Sequence, residues 1–338
     1  MVQEVFFRRG GKCRHFLLAF EFKGENALGV GMGHKRKRTK RRERKRQKHR
    51  ALTQLVHLRG RRNRGGAAQA PEVLRANTKH STPSTERLYY YDSFELLDAG
   101  DFVNEDRDAL FAEVQAYVKT LVAQGVKFTM VGGDHSVTIP VERGINDALN
   151  EEFGIIHIDA HMDLCDALEG DYLSHGNTER RALELEHVSS LKNLFFIGIR
   201  SIEPDEFEFH KTNKIQVKTA YDCYHEGIEA VAEACIEKMK RFDKVYITFD
   251  IDALDPGFAA GTGTPQFGGL TPRMALTLLE KLFQNLNIIG FDVVEIAPPL
   301  DPSLAAMFAG RKLLQEVWGY WADRIGKLER PKGKDFAA

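Results

Sequence analysis

Cysteine is scarce in this chain, and what there is of it is scattered. The four cysteines, Cys13, Cys165, Cys223 and Cys235, show no CxxC spacing in 338 residues. That excludes a disulfide-built scaffold and a thiolate zinc site, and the four read as reduced thiols in a cytosolic protein. No apolar run approaches the roughly 20 residues of a membrane span, so no membrane partner is expected. Glu4, Arg8, Arg9 and Lys12 interrupt the start and no long apolar segment follows, so no secretory signal is expected either. Glu4, Glu21 and Glu25 argue against a mitochondrial presequence. Net charge is absent as well, with 48 Lys and Arg against 48 Asp and Glu. That balance hides an asymmetry: residues 1–64 hold 21 basic and 4 acidic side chains, and the rest hold 27 and 44.

The tract 35–50 is nearly all Lys, Arg, Gln and His and cannot bury enough apolar surface to order itself. From Gly65 onward the texture becomes a regular alternation. Helical periodicity covers 104–125, 136–151, 179–190, 227–242, 272–285 and 303–325. Apolar runs at 127–133, 153–161, 193–200, 214–220, 245–252 and 288–296 read as strands, and 51–58 is a further short candidate. Near-continuous apolar strands alternating with helices predict an α/β fold, with a parallel sheet covered on both faces. At its size the chain fits one large domain with appendages.

What is present in quantity is ionisable residues at the ends of these apolar runs. Asp159, His161 and Asp163 occupy alternate positions at what reads as a strand end, and so do Asp250 and Asp252. On a strand, such residues share one face. Three ionisable groups converging after Gly154-Ile155-Ile156 would repel one another and lose solvation without a cation. The strand ending at Val131 runs into Gly132-Gly133-Asp134-His135-Ser136, where two glycines allow a sharp turn that brings His135 to the sheet mouth. A helix cap at Asp134 or Ser136 is the competing reading of that loop. His157 reads as a hydrogen-bonded core histidine. Together His135, Asp159, His161, Asp163, Asp250 and Asp252 offer two imidazoles and four carboxylates. That set suits a pair of Mn²⁺ ions better than Zn²⁺, which prefers fewer ligands with more nitrogen or sulfur. Two such ions lower the pKa of a shared water.

The runs GGDHS, DAHMD, SHGN, FDIDALDP, GTGTPQFGG and DVVE, in this order, resemble the signatures of the ureohydrolases (arginase, agmatinase and relatives) over roughly residues 65–327. The resemblance implies a three-layer α/β/α fold with a mainly parallel, roughly eight-stranded sheet, two Mn²⁺ per subunit and a homo-oligomer, trimer or hexamer. It further implies that one ion takes His135, Asp159 and Asp163, that the other takes His161 and Asp252, and that Asp159 and Asp250 bridge. His175 matches the histidine that passes a proton to the leaving amine. Glu295 matches the glutamate that grips the guanidinium, a planar fork of donors suited to a carboxylate. Asn177, beside His175, is counted with these two among the substrate-binding candidates. The implied reaction is hydrolysis of a guanidino group to urea and an amine.

Arginase carries a longer Ser- and Asn-rich loop before its proton-shuttle histidine. Here the segment 164–173 is acidic instead, with Asp166, Glu169 and Asp171. Such a wall welcomes a cationic amine and repels a carboxylate. Agmatine, yielding putrescine, is therefore the expected substrate; arginine, guanidinobutyrate, another guanidino acid and formiminoglutamate remain open. Arg180 and Arg181 are expected on an exposed helix face. The domain is expected to span 65–338. Residues 1–64 read either as a disordered, non-native segment from a mis-assigned gene start or as a genuine basic tail. A genuine tail would bind nucleic acid or an acidic partner by counterion release, and would support the rival reading of a non-catalytic nucleic-acid-binding protein.

Overall fold

The computed structural model describes residues 15–20, 53–55, 65–78 and 81–331. Cys13 and the basic tract at 35–50 lie outside them. Among the described residues nine strands make one sheet: β1 (His15–Phe20), β2 (Thr53–Leu55), β3 (Leu97–Val103), β4 (Lys127–Val131), β5 (Gly154–Ile158), β6 (Leu194–Ile199), β7 (Val217–Thr219), β8 (Val245–Asp250) and β9 (Ile288–Val294). Their order is β2-β3-β1-β4-β9-β8-β5-β6-β7. The six strands from β4 to β7 in that order are parallel to their neighbours. β1 runs antiparallel to β4 and β3, and β2 is parallel to β3.

The sheet is thus mainly parallel, as expected, and the expected count of eight is one short. β3, Leu-Asp-Ala-Gly-Asp-Phe-Val, escapes sequence reading because two aspartates and a glycine break both the apolar run and the alternation. β1 escapes it too; it lies in the stretch whose composition the basic tract dominates.

Successive side chains of the parallel strands point to opposite layers. Helix α1 is Ala70–Thr78, α4 Thr178–Ala182, α5 Pro204–Thr212 and α6 Ala220–His225. Ile155, Tyr246 and Val294 join one core with α2 (Arg107–Ala123) and α3 (Thr138–Ala148). Ile156, Ile247 and Val293 join the other, with α7 (Ile228–Met239), α8 (Pro272–Asn285) and α9 (Ala305–Arg324). The α2 start is set by Asp106, whose carboxylate accepts from the amides of Asp108 (2.9 Å) and Ala109 (3.3 Å). The α9 helix is pinned to the sheet by Trp321, whose indole donates to the Ile288 carbonyl at 3.2 Å.

The register keeps the strand ends level: Val131 pairs with Val293, Phe249 with Val293, and Ile158 with Phe249. The carboxyl ends of four neighbouring strands, β4, β9, β8 and β5, therefore open onto one crevice, where α/β sheets place their ligands.

Midway along β9 the backbone needs glycine. A Cβ on Gly290 would lie 2.4 Å from the ring of Phe128, itself stacked on Tyr246 and fully buried. Gly290→Ala is expected to destabilise the domain by about 2 kcal/mol, the cost of overpacking a tight core. A denaturant midpoint equal to that of the wild type would mean that Phe128 can turn away.

Candidate active site

The sequence-predicted ligands do meet, but not by strand alternation. β5 ends at Ile158 and β8 at Asp250, so Asp159, His161, Asp163 and Asp252 all lie beyond the strands. Asp163 has φ 50°, a left-handed conformation uncommon for a residue other than glycine. Asp250 caps a short 3₁₀ turn, Ile251–Ala253, accepting from the Asp252 amide at 2.7 Å. His135 opens another such turn, His135–Val137, which Asp134 caps through the Ser136 amide at 3.1 Å. The capping role and the site role of that loop therefore coexist.

Around His135, Nδ1 lies 3.0 Å from Asp159 Oδ2, 3.1 Å from Asp163 Oδ2 and 3.4 Å from Asp250 Oδ2. Around His161, Nδ1 lies 3.3 Å from Asp159 Oδ1 and 3.2 Å from Asp252 Oδ2. Asp159 thus belongs to both groups. His157 stands behind them, fully buried and stacked on His135 at 5.1 Å, with Nδ1 2.9 Å from Glu179 Oε1 and Nε2 3.2 Å from Asp159 Oδ2.

Two observations test whether these residues suit a metal. First, His135 Nδ1 and Asp159 Oδ2 are buried and neither has a hydrogen-bond partner of acceptable geometry, although they face each other. Buried polar atoms without partners are costly, and a cation between them would remove that cost. Second, the carboxylates crowd. Burial, then repulsion from Asp252 and Asp159, pushes Asp250 well above the usual carboxylate range, and burial and Asp159 raise Asp252. Burial disfavours charge on His161, but Asp159 and Asp252 outweigh it and push the group up to about 12. Protons held so tightly are what divalent ions would displace. Close groupings of candidate donors, His135–His157–Asp159 and Asp159–His161–Asp252, share Asp159. The donor set fits a pair of divalent cations.

Glu295 follows β9 with φ 60°. Its amide donates to the Gly133 carbonyl at 2.7 Å, and its carboxylate accepts from the His135 amide at 3.0 Å. Burial, then repulsion by Asp134, raises its pKa well above the ordinary value. His175 begins a 3₁₀ turn (His175–Asn177), is half-buried and lines the same cavity as His135, His161, Asp163, Asp250 and Glu295.

Asn177 corrects its expected role as a substrate contact. It is fully buried and does not line the cavity; its oxygen accepts from the Ser174 amide at 3.1 Å and its nitrogen donates to the Cys165 carbonyl at 2.7 Å. It holds the His175 turn in place. The helix expected over 179–190 is only Thr178–Ala182. Arg181 is not on an exposed face: it is buried and paired with Asp166 at 2.9 Å and Glu184 at 3.2 Å.

The cavity has a volume of about 330 Å³. Its outer wall contains Glu169, Glu203 and Glu206, and among the described residues neither lysine nor arginine lines it. Sequence reading misses Glu203 and Glu206, although Glu203 precedes Pro204 and Glu206 completes a helix-capping pair. Glu206 accepts from the Glu203 amide and the Leu164 amide, both at 2.8 Å. It misses Arg200 too. The Arg200 guanidinium donates to the carbonyls of Asp252 (2.6 Å) and Gln266 (2.8 Å), bracing the loop after β8.

The Arginase family pattern matches residues 56–319. The chain belongs to the arginase family. This ureohydrolase is 32% identical to the guanidinobutyrase of Pseudomonas aeruginosa over 260 residues, 75% of this chain and 80% of that protein. It is 34% identical to the mitochondrial agmatinase of Gallus gallus over 267 residues, 76% of each chain. Among solved structures, the agmatine ureohydrolase of Thermoplasma volcanium superposes with a TM-score of 0.69 at 28% identity, over 78% of this chain and 87% of that one. As an arginase-family member the chain is a hydrolase of guanidino groups, and the family's enzymes are binuclear metal hydrolases.

Burial pushes Glu206 up to about 7, against the two backbone amides that favour its charge. A folded-state pKa above the unfolded value of about 4.3 means that stability is lost as pH rises between those values. Glu206→Gln keeps an oxygen for only one of the two amides, a cost that is the same at every pH. Its stability relative to the wild type is therefore expected to rise by on the order of 3 kcal/mol between pH 4 and pH 8. Urea denaturation at the two pH values measures this, and an equal difference at both would assign the effect to packing instead.

Proposed function

We propose that this ureohydrolase binds two Mn²⁺ ions and hydrolyses agmatine to urea and putrescine. The observation that carries the substrate choice is the cavity wall, where Glu169, Glu203 and Glu206 line the space outside the proposed metal cluster and, among the described residues, no lysine or arginine does. A substrate with a guanidinium at one end and an ammonium at the other meets carboxylates at both ends. Guanidinobutyrate would instead bring its carboxylate to that wall. It is kept as the second reading because the P. aeruginosa guanidinobutyrase is a relative at 32% identity.

His135, Asp159 and Asp163 would hold one ion, and His161 and Asp252 the other, with Asp159 and Asp250 between them. When bound, the ions supply a water acidic enough to ionise near neutral pH. The remaining roles fall to side chains of the cavity. Glu295, tied to the His135 amide, would accept N–H bonds from the guanidinium and fix its plane. His175 lines the same cavity and would give its proton to the departing amine nitrogen as the C–N bond breaks. Cys165, Leu168 and Gly176 narrow the cavity around the methylene chain.

The wider reading follows the same lines. The catalytic domain spans 65–338 together with β1 and β2, which lie in its sheet, and assembles as a homo-oligomer, a trimer or hexamer. Cys165, Cys223 and Cys235 are buried free thiols, which supports a reducing, cytoplasmic setting. Among the described residues no helix is long and apolar enough to cross a membrane.

Urea release by Mn²⁺-loaded protein is the direct assay, with agmatine, guanidinobutyrate and arginine supplied in parallel. Agmatine is expected to give the highest kcat/KM; a clear preference for guanidinobutyrate would overturn the wall argument. Asp250→Ala is expected to lower kcat by at least about 10³-fold, since it removes the bridging carboxylate. His175→Ala is expected to lower kcat about 10²- to 10⁴-fold with little change in KM. Full activity in Asp250→Ala would refute the ligand assignment.

A further inference from the structure

Asp292 opens the segment Asp292-Val293-Val294-Glu295, yet only Glu295 reaches the cavity. Asp292 lies one layer beneath it, fully buried, in a row of polar side chains crossing three apolar strands: His157 pairs with Thr248, and Thr248 with Asp292. Four donors converge on its two oxygens. Oδ2 accepts from the Thr138 hydroxyl at 2.7 Å and from the Tyr246 hydroxyl. Oδ1 accepts from the Thr248 hydroxyl at 2.7 Å and from the Phe249 amide at 3.2 Å. Four donors fill the acceptor capacity of an ionised carboxylate.

A hydroxyl has one proton. That of Thr248 goes to Asp292, so toward His135 Nε2, at 2.8 Å, the oxygen has only lone pairs to offer. Nε2 must then be the donor. In the neutral imidazole that a bound cation requires, this is the single N–H, which leaves Nδ1 bare. Nδ1 is the atom surrounded by oxygens of Asp159, Asp163 and Asp250 at 3.0, 3.1 and 3.4 Å, none of them in hydrogen-bonding geometry with it. The two observations agree and are independent: one concerns the far side of the ring, the other the near side.

We infer that Asp292, acting through Thr248, fixes His135 in the Nε2–H tautomer, so that its Nδ1 lone pair is presented to the cation. Asp292 and Thr248 are positioning residues; neither touches the substrate or the ion. The Thr138 and Tyr246 hydroxyls complete the device by holding the carboxylate ionised and still. Outer-layer partners of this kind typically change metal affinity 10- to 100-fold. The inference rests on the two-ion reading of the cluster.

The test compares Thr248→Val, which keeps the shape and removes the hydroxyl, with Thr248→Ser, which keeps the hydroxyl. Mn²⁺-loaded wild type and both variants are dialysed against a weak chelator, and the metal content per chain is followed. Wild type and Thr248→Ser should retain two ions, and Thr248→Val should lose one of them at a 10- to 100-fold lower chelator concentration. In wild type loaded with diamagnetic Cd²⁺, ¹⁵N-edited NMR should show a slowly exchanging Nε2 proton on His135 and none on Nδ1. A folded Thr248→Val that retains both ions like the wild type would overturn the inference, as would a proton on Nδ1. If Thr248→Val does not fold, the wild-type spectrum decides alone. Wild type that takes up no Mn²⁺ would overturn the two-ion reading itself, a different result from full uptake with an indifferent variant.

Discussion

Like charges forced together out of water are the constraint on which this structure depends. Asp159, Asp163, Asp250 and Asp252 are all buried around two imidazoles. Such crowding is relieved by a cation or by bound protons, and a large part of the architecture serves to hold it. Four neighbouring parallel strands end level, and each end delivers a different functional residue. The turns after β5 and β9 accept left-handed backbone at Asp163 and Glu295, an energetic cost that the packed strands beneath must offset. Arg200 places a guanidinium against the carbonyls of the neighbouring loop and adds positive charge to the rim of the acidic cluster.

The site has a stiff floor and a more adjustable wall. The floor consists of strand ends and short 3₁₀ turns whose polar atoms are bonded to one another and to the row beneath them. The wall comes from the connection after β5 and the start of the helix Pro204–Thr212, joined where Glu206 accepts from the Leu164 amide. On the proposed reading, chemistry common to guanidino substrates belongs to the floor, and the choice of the substrate's other end belongs to the wall. Relatives named for a guanidino acid and for agmatine share similar identity with this chain, as expected if the floor dominates the alignment.

The family is legible through its motifs and their order, and the layered α/β class through apolar runs alternating with helices. The six clustered ionisable residues stand out because charged groups that directly follow apolar runs crowd together out of water, a burial that a cation relieves. Their local geometry is not legible. Alternation on a strand predicts the right convergence for Asp159, His161 and Asp163, but the strand stops at Ile158 and the loop brings the side chains together. His157 reads in sequence as a hydrogen-bonded core histidine, and the structure places it so, but Thr248 passes as part of an apolar run. Both stand two places before a candidate ligand, and that spacing is the signal that marks the supporting row. Asn177 misleads because a buried amide that caps a turn looks, in sequence, like one that faces a ligand. β3 stays hidden because a strand with two aspartates and a glycine carries no apolar run for sequence reading to detect.

The Glu295 backbone and side chain are both fastened to the loop that carries His135, one bond from the amide to Gly133 and one from the His135 amide to the carboxylate. On the roles proposed for them, the guanidinium grip of Glu295 and the metal ligand His135 cannot move independently. A longer, shorter or differently charged substrate would then be accommodated not by sliding the reacting end but in the segments that line the rest of the cavity, 164–173, 201–206 and 264–266. Diversification within this lineage should fall in those stretches, while the Asp292–Glu295 corner stays fixed even where the substrate changes.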